Sequence, residues 1–216
     1  MSAQTIIIAD DHPLVRSALR EALRRRMPEA EISECENFAD LSRLLHELDG
    51  DVCMLLLDLD MPGMHGFVGL LTVQAEWPAV ATVMVSATCD GETIEKARAC
   101  GASGFIPKSA PLEIIVTALG KIIAGDLWFP VTGGASDAAA ARTASRLASL
   151  TAQQMRVLQM IVEGKLNKQI AGTLDIAEQT VKGHVSAILP KLGVQSRTQI
   201  VLSVAPLLGR APTREH

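Results

Sequence analysis

Several short apolar runs of this chain end beside a polar side chain that could do chemistry. These side chains belong to Asp10 and Asp11, Asp58, Ser86 and Lys108. Three carboxylates placed close together repel one another and raise each other's pKa unless a cation joins them, and a hard divalent ion such as Mg²⁺ prefers oxygen ligands. With the charge compensated, one carboxylate could attack phosphorus and form an aspartyl phosphate. The lysine and the hydroxyl could then neutralise and orient the phosphoryl oxygens.

Each of these residues also has a simpler interpretation. Acidic residues at the ends of strands often cap the helix that follows, and Asp10 or Asp58 taken alone would fit that role. It is harder to explain the whole set of polar residues, one at the end of each of several successive runs, as helix caps. Their joint occurrence favours a site.

The residues around these side chains alternate between two periodicities. Short apolar runs predict five strands, at residues 5–9, 31–35, 52–57, 80–85 and 104–106. Apolar residues on one helical face predict five helices, at residues 13–23, 39–48, 67–76, 92–100 and 112–124. Parallel strands need crossover connections, and ligands of such sheets bind beyond the carboxyl ends of the strands. We therefore predict an α/β unit with a parallel sheet that brings the polar side chains to one edge.

The composition indicates an ordinary globular protein. The chain of 216 residues is 48% hydrophobic and 20% charged, which excludes a disordered protein. No apolar run reaches the roughly 18 residues that a membrane span needs, and the first residues do not have the pattern of an export signal. The four cysteines are scattered, so neither a disulfide framework nor a zinc finger is expected. We expect a cytoplasmic protein with no membrane partner.

Charge divides the chain into two parts. Residues 1–130 carry a net charge of −9 and residues 147–216 carry +4, against −4 for the whole chain. Residues 131–146 are small and polar, which favours a linker, although the alanine run at 138–141 could instead extend a helix. The predicted boundaries are therefore 1–130, 131–146 and 147–216. The basic part suggests a polyanionic partner, and the alternative is a chance imbalance on solvated faces.

The basic part has the pattern of a helix-turn-helix. Thr151 and Gln154 give the capping box Thr-x-x-Gln, which predicts a helix that starts at Thr151. A short helix at residues 168–174, capped by Asn167, and a longer helix at residues 178–192 follow. A short helix, a tight turn and a longer helix form the shape that places the last helix in the major groove of DNA.

Four segments of the acidic part are characteristic of one protein family. They are Ile-Ala-Asp-Asp-His-Pro at residues 8–13, Leu-Asp-Leu-Asp-Met-Pro-Gly-Met-His-Gly at 57–66, Val-Ser-Ala at 85–87 and Gly-Ala-Ser-Gly-Phe-Ile-Pro-Lys at 101–108. Through them, the acidic part resembles the receiver domain of two-component response regulators. The resemblance implies a flavodoxin-like (βα)5 fold in which Asp58 is the phosphoacceptor. It also implies that Asp10 and Asp11 hold Mg²⁺ together with the backbone carbonyl of Asp60.

Further roles follow from this resemblance. Ser86 is the switch hydroxyl, Phe105 the switch aromatic and Lys108 the phosphate-binding lysine. The phosphoryl group would draw Ser86 inward, and Phe105 would rotate into the space behind it. Without the resemblance, Phe105 would be interpreted as an ordinary core residue. The side chain of Asp60 either lies near the phosphoryl group, where it affects the access of water, or is a solvated loop residue.

The basic part carries a second set of family-typical residues. They are Leu150-Thr151, Val157-Leu158, Gly164, Asn167-Lys168, Ile170-Ala171, Leu174, Ile176, Thr180-Val181-Lys182, His184, Ile188, Lys191-Leu192-Gly193-Val194 and Arg197-Thr198. This part resembles the LuxR-type DNA-binding domain. A receiver followed by this module is typical of the NarL/FixJ subclass of response regulators, and the resemblance covers nearly the whole chain.

The resemblance to the LuxR-type domain implies the DNA contacts. It places Lys182, Gly183 and Ser186 on the groove-facing side of the third helix, where Lys182 is the expected base or phosphate contact. The candidates for contacts to the DNA backbone are Lys168, Thr180, His184 and Lys191. His184 could instead be a packed helix residue. The last helix, at residues 198–204, is either the dimer face or simply closes the core of the domain.

Three residues depart from the LuxR-type pattern. Ala177 stands where a serine cap is usual, and the loss of such a cap costs about 1 kcal/mol. Pro190 lies near the end of the recognition helix, where it removes a backbone hydrogen bond and should bend the last turn. Gln154 replaces an acidic residue. None of the three faces the groove, so we expect DNA binding to survive.

We therefore expect a DNA-binding transcriptional regulator of a two-component system, and not an enzyme. A sensor histidine kinase would phosphorylate Asp58, and a homodimer would bind double-stranded DNA. One alternative is an interaction protein whose DNA-binding half is impaired by Ala177 and Pro190. Another is a metal-dependent aspartyl phosphotransferase, since Asp58-Leu59-Asp60 has the Asp-x-Asp form of some phosphatases. Against the phosphotransferase, the chain has no cap-sized insertion, and this alternative leaves the basic part unexplained.

Overall fold

The first part of the chain is a parallel α/β unit. The structure is a computed structural model that describes residues 4–131 and 138–208. Its strands are β1 (Thr5–Ala9), β2 (Glu31–Cys35), β3 (Met54–Asp58), β4 (Ala81–Ser86) and β5 (Gly104–Pro107). Its helices are α1 (Pro13–Arg26), α2 (Phe38–Glu47), α3 (Phe67–Glu76), α4 (Gly91–Ala99) and α5 (Leu112–Ile123). All strand pairs are parallel in the order β2-β1-β3-β4-β5, which confirms the predicted fold class.

Strand pairing brings the carboxyl ends of β1 and β3 to the same level. Ala9 pairs with Leu57, so Asp10, the first residue after β1, lies beside Asp58, the last residue of β3. Asp58 and Ser86 are the last residues of their strands rather than the first residues after them. Their backbones are therefore held by the sheet, which fixes their side chains more firmly than a loop would.

The sheet is covered on both faces because successive strand residues point to opposite sides. Ile6 and Ile8 belong to the apolar cluster formed with α1 and α5, whereas Ile7 and Ala9 belong to the cluster formed with α2, α3 and α4. All residues of β3 are buried, as expected for the centre of a parallel sheet. The second cluster continues without a break into the helices that follow.

The second part of the chain is helical. Its helices are α6 (Ala138–Leu147), α7 (Ala152–Val162), α8 (Asn167–Leu174), α9 (Glu178–Leu192) and α10 (Arg197–Val204), followed by a 3-10 turn at Ala205–Leu207. Helix α6 covers residues 138–146 of the predicted linker and ends one residue beyond it, so the alternative of a helical alanine run is the one that the structure supports. It buries Ala144 and Leu147. Residues 132–137 of that linker and residues 209–216 lie outside the described residues, and the domain boundaries stay a prediction.

Of the two predicted helix caps, the one at α7 is present and the one at α8 is not. The capping box at α7 is confirmed, since Thr151 Oγ1 accepts from Gln154 N at 3.3 Å and Gln154 Oε1 accepts from Thr151 N at 3.1 Å. The predicted cap of α8 is wrong, because Asn167 is already helical. The Asn167 side chain instead accepts a hydrogen bond from Arg197 Nη1 at 3.0 Å, which joins α8 to α10.

The two departures of the recognition helix α9 lie at its ends. Ala177 precedes the helix with extended backbone angles, φ −65° and ψ 143°, but it provides no side-chain cap. The helix continues through Pro190 to Leu192 and stops at Gly193, whose φ of 69° is left-handed. The long buried stripe of α9 therefore stays intact, with Val181, Ile188 and Leu192 facing the core.

The four cysteines are unpaired in the structure. Cys35 and Cys100 are buried, Cys53 is partly buried and Cys89 is exposed. Burial raises the pKa of Cys35 and of Cys100 to about 12, so both thiols stay protonated and unreactive at neutral pH. In the described part of the chain, no helix has the length and apolar character needed to cross a membrane.

We predict that Ala177→Ser stabilises the helical part. The backbone of Ala177 already has cap geometry, so a serine hydroxyl could accept one of the free N–H groups of the first turn of α9. The expected gain is about 1 kcal/mol, measured as an increase in the free energy of unfolding. Ala187→Ser, in the interior of the same helix, is the matched control and should not stabilise. Equal effects of both serines would contradict the role of Ala177 as an incomplete cap.

Candidate functional site: an acidic pocket and a basic helix

The predicted acidic residues meet in one pocket at the carboxyl edge of the sheet. The side chains of Asp10 and Asp58 are fully buried, and that of Asp11 is about one-third exposed. Lys108 Nζ lies 2.9 Å from Asp10 Oδ2 and 2.9 Å from Asp58 Oδ2. One lysine therefore pairs with two of the three carboxylates, and the three carboxylates together leave an excess of negative charge in the pocket.

Backbone N–H groups fix one oxygen of each buried carboxylate. His12 N donates to Asp10 Oδ1 at 2.8 Å, and Asp60 N donates to Asp58 Oδ1 at 3.2 Å. Despite the nearby lysine, Asp10 Oδ2, Asp11 Oδ1 and Asp58 Oδ2 are buried and accept no hydrogen bond of regular geometry among the described residues. Their charged neighbours are Lys108 Nζ, which contacts the Asp10 and Asp58 oxygens, and His12 Nδ1, which contacts the Asp11 oxygen. Buried carboxylate oxygens with so few hydrogen bonds are costly. Oxygen atoms of this kind, gathered in one place, fit a hard divalent cation such as Mg²⁺.

The charge of the pocket is visible in the pKa of its central groups. Burial raises the pKa of Asp58 to about 6, against the opposing effect of Lys108, and the neighbouring Asp10 raises it further. Burial alone would lower the pKa of Lys108, but its contacts with Asp58 and Asp10 raise that pKa above its usual value. Lys108 is thus held in its charged form, whereas the carboxylate of Asp58 is destabilised until more positive charge arrives.

The predicted switch residues lie next to this pocket. Ser86 is fully buried at the end of β4, and its Oγ accepts a hydrogen bond from Thr88 N at 3.1 Å. Its carbonyl accepts from Lys108 N at 2.8 Å, which ties β4 to the lysine. Phe105 is 0% exposed and lies in the core of β5. Both roles stay predictions, and Phe105 already occupies an inward position in this structure.

Two residues of the site were missed from the sequence. His12 Nδ1 lies 2.5 Å from Asp11 Oδ1 and 3.4 Å from Lys108 Nζ, at the exposed mouth of the pocket. Arg16 is buried beneath the pocket and donates to the Asp10 carbonyl at 2.7 Å. A signal for Arg16 was available, because it lies three residues before Leu19 on the buried stripe of α1, where a charge is unusual.

The predicted DNA-contacting residues form an exposed face of the helical part. Lys182, Gly183 and Ser186 are exposed on α9, and Thr180 and Lys168 are exposed beside them. No atom would lie within 4 Å of a Cβ at Gly183, so the helix surface there is open to a close approach.

Two of the candidate lysines on α9 have partners within the domain. Lys182 Nζ pairs with Glu178 at 3.1 Å, but its side chain is 54% exposed and the pair is easily exchanged for a phosphate. Lys191 Nζ donates to Ser149 O at 2.8 Å and to Gln154 Oε1 at 2.7 Å, so its charge is used within the domain. The substitution of an acidic residue by Gln154 therefore preserves a partner for Lys191. His184 is partly buried.

A partly buried ion pair joins the two parts of the chain. Arg156 on α7 donates to Glu76 on α3 through Nε at 2.6 Å and through Nη2 at 2.7 Å. The Glu76 side chain is 4% exposed, and the paired carboxylate raises the pKa of Arg156. No sequence pattern predicts this pair, because its two members are 80 residues apart.

The same helix also touches the loop that follows Asp58. Gln159 Nε2 donates to the Gly63 carbonyl at 3.3 Å, and His65 Nε2 lies 3.5 Å from Glu163 Oε1. The loop is tied to Asp58 by the hydrogen bond from Asp60 N. A continuous set of contacts therefore connects the acidic pocket with α7.

Comparison with known families assigns both parts. Residues 6–120 match the response regulator receiver domain, and residues 148–204 match the luxR family of bacterial regulatory proteins. The glycerol metabolism activator of Pseudomonas putida is 40% identical over 211 residues, covering 94% of this chain and 95% of that protein. The nitrate/nitrite response regulator NarL of Escherichia coli K12 is 31% identical over 205 residues, covering 93% and 94%.

Solved structures agree on the fold. A structure of the RcsB response regulator of Salmonella typhimurium matches with a TM-score of 0.55 at 22% identity, covering 95% of this chain and 99% of that one. A structure of two RcsB dimers bound to two parallel DNAs matches with a TM-score of 0.55 at 21% identity, covering 95% and 100%. With both family matches in the order that the sequence predicted, the chain belongs to the two-component response regulators that join a receiver domain to a LuxR-type DNA-binding domain, and it is a transcriptional regulator.

Proposed function

We propose that a sensor histidine kinase phosphorylates this protein on Asp58, and that the phosphorylated form binds its operator as a homodimer. The observation that carries this proposal is the pocket itself, in which a buried, destabilised carboxylate lies between a second buried carboxylate and a lysine. In this proposal, the receiver spans residues 1–130 and the DNA-binding domain spans residues 147–216. The protein acts in the cytoplasm, where its DNA is found.

The residues of the pocket divide the work of phosphoryl transfer. Asp10, Asp11, Asp58 and the carbonyl of Asp60 would hold Mg²⁺, which when bound neutralises charge on the carboxylates and on the phosphoryl oxygens. An oxygen of Asp58 attacks phosphorus while the bond to the donor breaks. Lys108 supplies a fixed positive charge to the phosphoryl group, and the Ser86 hydroxyl can donate to it after turning away from Thr88.

The exposed face of α9 is proposed to enter the major groove of double-stranded DNA. Lys182 is the base or phosphate contact, Gly183 and Ser186 allow close approach, and Lys168 and Thr180 contact the DNA backbone. The structurally related RcsB is described as dimers bound to DNA, which supports the same assembly here. Because one relative is named a glycerol metabolism activator, promoters of glycerol metabolism belong among the first DNA fragments to test.

The contacts between the receiver and α7 are proposed to carry the signal. Docking holds the DNA-binding domain in one orientation, whereas two such domains must match the spacing of two half-sites. A phosphoryl group on Asp58 changes the carboxylate to which the loop is bonded, and this loop contacts α7 through Gly63 and His65. Phosphorylation would therefore weaken docking and free the domain to pair on DNA.

We predict that Asp58→Asn abolishes labelling by acetyl phosphate in the presence of Mg²⁺, because the variant lacks the attacking carboxylate. Intact-protein mass spectrometry should show one added phosphoryl group on the unmodified protein and none on the variant. Asp60→Asn is the matched control, since it keeps the backbone carbonyl and removes an exposed carboxylate two residues away. Labelling of the Asp58→Asn protein would exclude Asp58 as the acceptor. Repeated turnover of small phosphate esters by the unmodified protein would favour the phosphotransferase alternative.

We predict that Lys182→Met weakens DNA binding by about 1–3 kcal/mol in free energy, because a contact to a base or a phosphate is lost. Binding of genomic fragments is measured over a salt series, with and without a beryllofluoride mimic of the phosphoryl group. Lys121→Met, an exposed lysine of α5 in the receiver, is the control and should bind as the unmodified protein does. The absence of DNA binding in every state would favour the interaction-protein alternative.

We predict that Glu76→Gln loosens docking without altering the DNA-binding face. The variant loses the charge that Arg156 pairs with, which should cost the docked form about 1–2 kcal/mol, a value reduced because Arg156 is partly exposed. The radius of gyration from small-angle scattering should increase, and the unphosphorylated protein should bind DNA more tightly. Glu113→Gln, an exposed carboxylate of α5, is the control. An unchanged radius and DNA affinity would contradict control by docking.

A further inference from the structure

The side chain of Arg16 is the buried cation beneath the acidic pocket. It comes from the first turn of α1 and is 10% exposed. Its three guanidinium nitrogens are all used: Nη1 donates to the Asp10 carbonyl at 2.7 Å, Nε to Glu34 Oε2 at 3.1 Å and Nη2 to Glu36 Oε1 at 2.6 Å. The two glutamates follow the course of β2 and the turn after it, so Arg16 joins α1, β1 and β2 at one point.

The contact with the Asp10 carbonyl fixes more than one residue. That carbonyl belongs to the planar peptide group between Asp10 and Asp11, so its orientation also sets the direction in which both side chains leave the backbone. Asp10 N donates to Cys35 O at 3.1 Å, which holds the other side of the same residue. Since the His12 N–H occupies Asp10 Oδ1, Oδ2 is the carboxylate oxygen that faces the pocket without a regular hydrogen bond from the described residues.

The effect of Arg16 on the pocket is one of position rather than of charge. Glu34 and Glu36 both pair with the guanidinium, so its positive charge is compensated on the side away from the pocket. Arg20 lies one turn later on α1 and pairs with Glu34 Oε1 at 2.6 Å, but it is 40% exposed. Arg20 therefore shares the charge and one partner of Arg16 and lacks its contact with Asp10.

We propose that Arg16 is a positioning residue for phosphoryl transfer, which sets the affinity of the acidic pocket for its divalent cation by holding the peptide group between Asp10 and Asp11. This inference rests on the proposed function of the pocket. Residues that orient the ligands of a metal typically change its affinity by about 10–100-fold when they are replaced. Lysine keeps the positive charge at this position but cannot make the three bonds of a planar guanidinium.

The experiment measures cation binding directly on the full chain. The probe is Mn²⁺, whose free concentration is followed by electron paramagnetic resonance, and the variants are Arg16→Lys and Arg16→Gln. We expect both to bind Mn²⁺ about tenfold more weakly. The Mg²⁺ concentration that gives half-maximal labelling by acetyl phosphate should rise in parallel, while the maximal rate at saturating Mg²⁺ stays within about twofold. A purely structural defect would instead lower the amount of protein that can be labelled at every Mg²⁺ concentration, and that result would overturn the positioning role.

Arg20→Gln is the matched control, and it should bind Mn²⁺ as the unmodified protein does. If the Arg16 variants are unfolded at room temperature in the presence of EDTA, Glu36→Ala replaces them, since Glu36 is 65% exposed and its truncation removes the acceptor of Nη2 without opening the core. This variant should also bind Mn²⁺ more weakly, although by a smaller factor. A folded variant of either residue with unchanged Mn²⁺ affinity would overturn the inference about Arg16.

The role of Arg16 and the function of the pocket fail under different results. If the unmodified protein binds Mn²⁺ and is labelled on Asp58 but the variants behave identically to it, only the role of Arg16 is lost. If the unmodified protein neither binds Mn²⁺ nor accepts a phosphoryl group from acetyl phosphate, the proposed function of the pocket fails and the inference fails with it.

Discussion

The electrostatic repulsion among the carboxylates at the edge of the sheet is the constraint on which the rest of the structure depends. Asp10 and Asp58 are fully buried within reach of one lysine, and burial raises the pKa of Asp58 to about 6. A parallel sheet creates this situation because all of its strands end on the same side. The pocket is thus costly without a cation or a phosphoryl group, and that cost makes it responsive to both.

The residues around the pocket hold this unfavourable arrangement in place. Lys108 supplies the partial counter-charge, and its backbone N–H is bonded to the end of β4 through Ser86. Arg16 holds the peptide group of the acidic pair from below, with its own charge compensated by glutamates. Charge and position are therefore supplied by different cations, one inside the pocket and one beneath it. Such a division keeps the carboxylates available for a ligand while their geometry stays fixed.

The response of the pocket can reach the DNA-binding domain over a short distance. The loop after Asp58 contacts α7, and α7 also carries Arg156, whose partner Glu76 is buried on α3. These contacts come from α7 rather than from α9, whose predicted DNA-contacting residues Lys182, Gly183 and Ser186 are exposed. A signal transmitted through this interface acts on the orientation of the DNA-binding domain rather than on access to its recognition surface.

The sequence by itself determined the succession of strands and helices along the chain, the polar residues at the strand ends and the two family resemblances. These features are local or depend on short spacings: apolar runs mark strands, capping residues mark helices, and strand ends converge wherever the sheet is parallel. The interpretation of Asn167 as a cap was wrong, because Asn167 is the first residue of α8, and its side chain binds Arg197, 30 residues away. The sequence also left open whether the alanine run forms a helix, since Ala144 gains its burial from other parts of the chain.

Only the tertiary structure decided which charges meet. Arg16 reaches Glu34 and Glu36 across two elements, and Arg156 reaches Glu76 across the domain interface. Each of these pairs joins residues that are far apart in the chain, and no local pattern specifies their partners. The physical reason is that an ion pair depends on the distance between two side chains in space and on their shared burial, which are set only when the whole core has formed.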